Sequence, residues 1–320
     1  MKKAFITGIT GFAGSFLAEH LLQTKGFEVS GTYLTEDSLR NVDHIKSKLN
    51  LHRIDLLNSQ ETEDLVAETS PDVIFHLAAL AAPGESFANP AKFLSNNIEA
   101  QVNILEGVRQ AGITPRILIV SSAEVYGNIS PSDLPIDENT PLAPVNPYAV
   151  SKVSQDFLGL QYFLSYKIPI IRVRPFNHIG PRQSPSFVVA AFAKKIAEIE
   201  KSQSDAPMTV GNLSAKRDLT DVRDTVWGYN LIIEKGVPGE VYNIGSGRSY
   251  EIKYLLDTLL SFSSRKITVE SDPTLMRPVD VPELVCDNSK MKAAAGWEPK
   301  IPIEQTLRET LDYWRGNITI

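Results

Sequence analysis

The residues with the clearest potential for chemistry are a serine, a tyrosine and a lysine in the middle of the chain. Ser122 follows the apolar run 117–120, and Tyr148 and Lys152 stand one helical turn apart at the start of a helical pattern. Residues at this spacing share one helix face, so the lysine ammonium is expected beside the phenol. Its charge would lower the phenol pKa from about 10, which would let Tyr148 exchange a proton with a substrate oxygen that Ser122 also binds.

A tyrosine and a lysine at this spacing usually mark only a solvated helix face, but a glycine-rich turn upstream supports the chemical interpretation. Gly8, Gly11 and Gly14 lie between the apolar run 4–7 and the helical pattern 15–22. A pyrophosphate needs such a turn, because the backbone must approach it without Cβ atoms and present free amides at a helix N-terminus. A purely structural turn is the less favoured alternative.

The end of the second predicted strand bears on which dinucleotide binds. Enzymes that use NAD usually place a carboxylate there, against the ribose 2′-hydroxyl, whereas this chain has Thr32, Tyr33 and Leu34. A 2′-phosphate would not be repelled, so we expect NADPH, with NADH still possible and Arg40 as the nearest arginine. Asp55 follows a third apolar segment and is expected either to hydrogen-bond adenine or to be a solvated loop residue. The predicted cofactor contacts are Gly8, Thr10, Gly11, Phe12, Ala13, Gly14, Thr32, Asp55, Leu56, Ala78, Ala79, Tyr148 and Lys152.

The elements needed to position these residues alternate regularly over the first half of the chain. Short apolar runs at 4–7, 27–32, 72–77 and 116–120 are separated by helical patterns. This alternation predicts an α/β fold, a Rossmann-type doubly wound parallel sheet with helices on both faces. We place an NAD(P)-binding domain at 1–174 and a smaller mixed α/β substrate domain at 175–320. The two are expected to interleave, because a segment near 218–245 contains one more apolar run that could rejoin the sheet.

Composition narrows the classes of partner. The formal net charge of −6 over 320 residues argues against a nucleic-acid surface, which needs a basic excess. Cys286 is the only cysteine, so no internal disulfide can form and a cytoplasmic location is expected. No run approaches the ~18 apolar residues of a membrane span. The 5 histidines are scattered without ligand spacing, so no metal site is predicted.

Two stretches beyond the predicted sheet carry a family resemblance. They are Arg-Pro-Phe-Asn-His-Ile-Gly-Pro-Arg at 174–182 and Gly-Asn-Leu-Ser-Ala-Lys-Arg-Asp at 211–218. With the glycine turn and the Ser, Tyr and Lys set, the chain resembles an extended short-chain dehydrogenase/reductase of the GDP-mannose branch over essentially its whole length. The resemblance implies that Tyr148 is the acid/base, that Lys152 also holds the nicotinamide ribose, and that Asn97 supports the active-site helix. It also implies a homodimer that pairs through helices at about 90–111 and 148–166.

The same resemblance implies a GDP-linked deoxy-keto sugar as the substrate. An acidic protein needs a few arginine forks to bind a diphosphate, and Arg217 and Arg277 would provide them. The alternative is that both arginines are surface residues paired with nearby acids. The implied substrate contacts are Asn177, Arg182, Val188, Gly211, Asn212, Arg217 and Arg277.

Two reactions occur in this branch, and the sequence bears on the choice between them. Dehydration of GDP-mannose requires an extra acid/base beside the serine, and Glu124 matches that position. Against dehydration, the chain has Ser122 where threonine is normal, lacks paired arginines after the second strand, and lacks a longer insertion between 267 and 277.

We therefore expect NAD(P)H-dependent reduction of the C4 keto group of GDP-4-keto-6-deoxy-D-mannose to GDP-D-rhamnose. Ser122, Tyr148 and Lys152 would carry the catalysis, and Glu124 would join them in the dehydratase alternative. A non-catalytic, dinucleotide-sensing protein is the least expected class, because such a protein need not retain all three residues.

Overall fold

The computed structural model describes residues 1–24, 26–203, 205–275 and 281–318, so Arg277 lies outside the described residues. The elements of the first half are β1 (Lys2–Thr7), α1 (Phe12–Gln23), β2 (Phe27–Tyr33), β3 (Asn50–Arg53), α2 (Ser59–Thr69), β4 (Val73–His76), α3 (Pro83–Ser86), α4 (Pro90–Gln110), β5 (Arg116–Val120), α5 (Pro147–Tyr166) and β6 (Ile170–Pro175). Those of the second half are β7 (Asn177–Ile179), α6 (Val188–Ser202), β8 (Met208–Val210), β9 (Lys216–Asp221), α7 (Val222–Lys235), β10 (Val241–Ile244), β11 (Ser249–Glu251), α8 (Ile252–Ser261), β12 (Val269–Ser271), β13 (Glu283–Leu284), α9 (Ser289–Ala295) and α10 (Ile303–Asn317).

A seven-stranded parallel sheet in the order β3-β2-β1-β4-β5-β6-β10 forms the frame. The chain order reverses between β1 and β4, where Thr7 pairs with His76. Ligands of open α/β sheets bind at the carboxyl ends of the strands beside such a reversal. Ser122 follows β5 and the glycine turn follows β1, so both are at this edge. The predicted doubly wound fold is confirmed.

Helices cover both faces of the sheet, which explains why its strands read as nearly continuous apolar runs. On one face α1 and α7 bury side chains such as Leu17 and Val226. On the other face α2, α4 and α5 bury side chains such as Ile104 and Tyr162. The strands between these two layers have few exposed positions, and all four residues of β4 are buried.

A second lobe has its own core. Phe192 of α6, Leu256 of α8 and Leu307 of α10 belong to one buried cluster. In this lobe β9 pairs with β7, β11 and β13. The chain then returns through α7 to β10, which pairs with β6 at the edge of the main sheet. The domain boundaries given above stay a prediction.

Across the described ranges, no helix combines the length and the apolar character required to cross a bilayer.

Candidate active site

Ser122 is positioned by the end of β5. Its backbone is extended, with φ −163°, and it caps the short 3-10 helix Ala123–Val125. The Ser122 hydroxyl oxygen accepts a hydrogen bond from the Glu124 amide at 3.2 Å. Its neighbour Ser121 donates to the Lys152 carbonyl at 3.1 Å, which ties the strand end to α5. The cap therefore fixes the serine oxygen and leaves the hydroxyl proton for donation.

The first turn of α5 carries Tyr148. Asn146 caps this helix through a 2.8 Å bond from the Ala149 amide to its side-chain oxygen, and Pro147 occupies the first helical position. An asparagine followed by proline is a typical helix start. The Asn146 side-chain amide also donates to the Glu124 carboxylate at 3.1 Å. Glu124 thus helps to hold the residue that fixes where the tyrosine helix begins.

Lys152 lies under Tyr148 on the same helix face. Its ammonium donates to the Val120 carbonyl at 2.9 Å and is 5.9 Å from the Tyr148 ring centroid. The side chain is only 4% exposed, and this burial lowers the pKa of Lys152 to about 7. Burial and, to a smaller extent, the charge of Lys152 lower the pKa of His76 to about 3. The His76 side chain is therefore neutral.

The pKa of Tyr148 moves in the direction opposite to the one predicted. Burial raises it, a hydrogen bond with Ser122 lowers it by less, and the Glu124 charge raises it further. The expectation of a lowered phenol pKa is therefore wrong for the protein by itself, because the loss of hydration on burial outweighs the hydrogen bond with Ser122. A raised pKa keeps Tyr148 neutral, which is the form that can donate a proton.

A buried charge cluster behind α5 fixes its position, and the sequence reasoning missed it. Asp156 accepts from Arg172 at 2.5 Å and from Arg174 at 2.8 Å, and all three side chains are buried. Arg174 also donates to the Tyr126 hydroxyl at 3.0 Å. Asp156 is one turn beyond Lys152, so the cluster locks α5 onto β6. Two arginines within an apolar strand were the available signal, since buried charges need partners.

Asn97 links α4 to the site. Its side-chain oxygen accepts from the Leu80 amide at 2.8 Å, and its amide donates to the Ser151 hydroxyl at 2.9 Å. Ser151 belongs to α5, so these bonds hold the loop after β4 against this helix. This is the support that the family resemblance implied.

The glycine turn has the close contacts that a phosphate-binding turn requires. Gly8 has φ +69°, and a Cβ on Gly14 would lie 2.2 Å from the Gly8 carbonyl oxygen. The Gly8 amide donates to the Thr32 hydroxyl at 3.2 Å, and a Cβ on Gly8 would lie 3.2 Å from the Ala78 Cα. Gly11 caps α1 without a side-chain acceptor, so the first-turn amides can bind an anion. These features fit a dinucleotide pyrophosphate.

One cleft of about 250 Å³ joins the glycine turn to Ser122, Tyr148 and Lys152. The lining includes the following residues that the sequence predicted for the site: Gly8, Gly11, Phe12, Ala13, Gly14, Ala79, Ser122, Glu124, Tyr148, Lys152 and Asn177. The lining residues that were not predicted include His178, Gln183, Phe187 and Tyr229. His178 stacks on Phe12 with ring centroids 5.7 Å apart, and burial lowers its pKa. In the sequence it was only an isolated histidine in a family motif.

Five predicted cofactor contacts are not among the residues that line the cleft. Thr32 and Ala78 hold the glycine turn, as described. Thr10 donates to the Ser38 hydroxyl at 2.8 Å, Asp55 accepts from the Leu57 amide at 3.0 Å, and Leu56 is buried in the core. Their contact with a cofactor stays a prediction.

Arg182, which was predicted to bind substrate together with Asn177, is not among the residues that line the cleft. It has φ +70°, and its guanidinium binds the Glu19 carboxylate at 2.6 Å and lies 4.0 Å from the Phe16 ring centroid. It also donates to the Asn41 carbonyl at 3.1 Å. Arg182 therefore connects the loop after β7 to α1 and to the segment after β2, and its contact with the substrate stays a prediction.

The other predicted substrate contacts lie on the second lobe. Val188 begins α6 and is 38% exposed. Gly211 lines a separate groove that includes Lys195. The Asn212 side chain accepts from the Ser214 amide at 2.9 Å, and Arg217 on β9 donates to the Val281 carbonyl at 2.7 Å. The structure does not bring these residues into the cleft, and their roles stay predictions. Among the described residues, no group of three or more His, Cys, Asp or Glu could hold a metal.

Comparison with known proteins identifies the family. Residues 5–310 match the family described as GDP-mannose 4,6 dehydratase. The chain belongs to this family. Its relatives include GDP-6-deoxy-D-mannose reductase from Pseudomonas aeruginosa, which is 32% identical over 99% of this chain and 98% of that protein. They also include GDP-mannose 4,6-dehydratase from Vibrio cholerae, at 28% identity over 96% of this chain and 92% of that protein.

A solved structure of similar sequence agrees in fold. RMD from Pseudomonas aeruginosa, complexed with NADPH, superposes with a TM-score of 0.86 at 31% identity, over 99% of this chain and 100% of that chain. Family membership confirms the resemblance on which the sequence-based expectations depended. Both a reductase and a dehydratase are among these relatives, so the reaction must be argued from the site.

Proposed function

We propose that this chain is an NADPH-dependent reductase that converts the C4 keto group of GDP-4-keto-6-deoxy-D-mannose into the hydroxyl of GDP-D-rhamnose. The observation that carries the proposal is the single cleft that joins the glycine turn to Ser122, Tyr148 and Lys152. Near full-length similarity to a GDP-6-deoxy-D-mannose reductase supports the substrate. A cytoplasmic location is part of the proposal, supported by the lone, buried Cys286, which cannot form an internal disulfide.

The residues around the turn fit a dinucleotide. When bound, NADPH would supply the hydride. The amides at the start of α1 would hold its pyrophosphate, and Lys152 its nicotinamide ribose. At the end of β2, Glu36 accepts from the Tyr33 hydroxyl at 3.2 Å and lies 3.5 Å from the Arg53 guanidinium. These contacts partly neutralise the Glu36 carboxylate, and the exposed Arg40 lies four residues further along the chain. Both features support binding of a cofactor that carries a 2′-phosphate. NADH remains the alternative.

The proton chemistry follows from the two hydroxyl groups. Neutral Tyr148 would donate its proton to the O4 oxygen as charge develops there, and Ser122 would donate a second hydrogen bond to the same oxygen. The product gains two hydrogens, one on C4 as hydride and one on O4 from Tyr148. With a pKa of about 7, Lys152 is close to half protonated at neutral pH, so its charge can respond to the proton that Tyr148 gives up.

Dehydration of GDP-mannose is the second candidate, and Glu124 is the observation that favours it. Its carboxylate lines the cleft and is near enough to raise the pKa of Tyr148. The bond from Asn146 gives the same carboxylate a positioning role, which a reductase can also use. We favour reduction because the bond to Asn146 accounts for Glu124 without any proton transfer by its carboxylate.

Product analysis tests the two reactions directly. The chain is incubated separately with GDP-mannose and with GDP-4-keto-6-deoxy-D-mannose plus NADPH, while NADPH absorbance and nucleotide-sugar mass are followed. We expect the keto sugar to gain two hydrogens with loss of NADPH absorbance. Loss of water from GDP-mannose would instead identify the dehydratase, and no change in either sugar would contradict both.

We also propose a homodimer that pairs through the outer face of α4 and α5. Val150, Phe157 and Leu164 recur every seven residues on α5 and are 41%, 51% and 56% exposed. Such a stripe on one helix favours burial against another copy. We expect a dimer in size-exclusion chromatography at micromolar concentration and a monomer for Phe157→Glu. Val237→Glu changes a similarly exposed residue elsewhere and should leave the dimer intact. A monomeric wild type would contradict the proposal.

A further inference from the structure

Two buried polar atoms in the cleft have no hydrogen-bond partner within the described residues. They are the Tyr229 hydroxyl and the side-chain oxygen of Gln183. Tyr229 is 0% exposed and Gln183 is 5% exposed, and both line the cleft. Buried polar atoms are nearly always satisfied in folded proteins, so two such atoms on one cleft point to a ligand group that satisfies them.

Tyr229 supplies a donor on the cofactor side of the cleft. It belongs to α7 and to a buried cluster that also contains Val222. Phe12 of the glycine turn packs against this cluster. Burial, and to a smaller extent the neighbouring Tyr148, raises the pKa of Tyr229. Its phenol is therefore neutral and can donate a hydrogen bond close to the reacting tyrosine.

Gln183 supplies an acceptor. Its side-chain nitrogen donates to the His178 carbonyl at 2.9 Å, which fixes the orientation of the amide and leaves the oxygen as the unpartnered atom. The preceding loop lies close to the glycine turn, because a Cβ on Gly180 would be 2.9 Å from Val222 and 3.8 Å from Phe12. The oxygen thus requires a ligand N–H or O–H, and it disfavours phosphate or carboxylate.

A primary carboxamide matches this pair, since it offers one carbonyl acceptor and two N–H donors. The carboxamide of nicotinamide is attached next to C4, the carbon that transfers hydride, so a cofactor that places C4 near Tyr148 brings its carboxamide to the same end of the cleft. We propose that the Tyr229 hydroxyl donates to the carboxamide oxygen and that the Gln183 side-chain oxygen accepts from the carboxamide nitrogen. This inference rests on the cofactor part of the proposed function.

A cofactor analogue separates the two contacts. Reduced 3-acetylpyridine adenine dinucleotide phosphate keeps the carbonyl of NADPH but replaces the amide nitrogen by a methyl group. Dissociation constants for both are measured by fluorescence titration or calorimetry, with no substrate present. For the wild type, we expect NADPH to bind roughly three- to tenfold more tightly than the analogue, the value of one neutral hydrogen bond.

Gln183 variants should change this preference. Gln183→Met removes the acceptor and should bring the ratio of the two dissociation constants close to one. Gln183→Glu keeps an acceptor while losing the donor to His178, so it should retain a preference for NADPH. The ratio compares two ligands on one protein preparation, and partial loss of folded protein therefore does not alter it. An unchanged ratio in Gln183→Met would overturn the assignment of Gln183.

Tyr229→Phe should weaken both ligands equally, by roughly three- to tenfold, because both retain the carbonyl. Tyr242→Phe is the matched control. Tyr242 is also buried, but its hydroxyl accepts from the Val237 amide at 3.0 Å outside the cleft, so neither dissociation constant should change.

Unchanged binding in Tyr229→Phe would refute its role. An unchanged NADPH affinity combined with a raised KM for the sugar would instead assign the pair to a substrate hydroxyl. Failure of the wild type to bind NADPH or NADH would refute the proposed function together with this inference.

Discussion

The proposed reacting residues and the predicted sugar-nucleotide contacts occupy two differently built regions. Tyr148 and Lys152 are buried at the carboxyl ends of the strands of a seven-stranded sheet. Val188, Gly211 and Arg217 are less buried, and they lie on short elements of a lobe with a separate core. In the first region, parallel pairing fixes where each strand ends and therefore where each reacting group lies. The second region can vary without disturbing the chemistry. Substitutions in the first should therefore act on kcat and those in the second on KM.

The largest expected effect tests the reacting region. Tyr148→Phe removes the proton donor, so turnover should fall by about 10³-fold, within the usual range for a lost general acid. NADPH oxidation in the presence of the keto sugar measures this, and NADPH binding should stay near the wild-type value because the ring is retained. Near-normal turnover of this variant would contradict the assignment of Tyr148 as the proton donor.

Arg217→Leu tests the other region. Loss of a charged bond to the diphosphate should raise KM for the GDP sugar by about tenfold to a hundredfold, with kcat changed little. Arg217→Lys keeps the charge but not the fork, so its KM should be intermediate. A fall in kcat with an unchanged KM would show that the two regions are not separated in this way.

Gly14→Ala tests the cofactor turn. The added Cβ would meet the Gly8 carbonyl oxygen, so the turn must shift and NADPH should bind about tenfold more weakly. Gly316→Ala is the matched control, because it lies in α10 and a Cβ there meets no atom within 4 Å. That variant should bind NADPH normally. Equal affinities for both variants would contradict the role of the turn.

The burial of Lys152 has a consequence for stability. Its folded pKa of about 7 lies below the unfolded value of about 10.4, so the unfolded chain binds more protons between these pH values. Without cofactor, the free energy of unfolding should rise with pH over this window, by at most about 1.4 kcal/mol per pH unit relative to Lys152→Met. Denaturant unfolding at pH 7 to 9 measures the difference, and a flat difference would contradict a lowered pKa.

The smallest expected effect distinguishes the two reactions. If Glu124 only positions Asn146, Glu124→Gln keeps an acceptor for that bond, and reductase turnover should fall by less than about threefold. The assay is again NADPH oxidation with the keto sugar. A loss of a hundredfold or more would return Glu124 to the acid/base role that dehydration requires.

The sequence predicted the sheet because strands covered on both faces leave continuous apolar runs. It also predicted the location of Ser122 and Tyr148, since a strand end and a capped helix start are local signals. The direction of the Tyr148 pKa shift was not predictable, because desolvation depends on packing from several elements. The bonds of Arg182 were not predictable for a related reason: its hydrogen bond to Ser15 joins residues 167 positions apart. Tyr229 and Gln183 carry no local motif.

The return of the chain to the main sheet has a mechanical consequence. β10 supplies an edge strand only after the polypeptide has built much of the second lobe, and Asp224 of α7 accepts backbone bonds from Lys300 and Ile301 near the C-terminus. A fragment that stopped after residue 174 would lose both the edge strand and a covering helix. The two hydrophobic cores are therefore expected to melt together in one cooperative transition, and neither half is expected to persist as an autonomous folding unit.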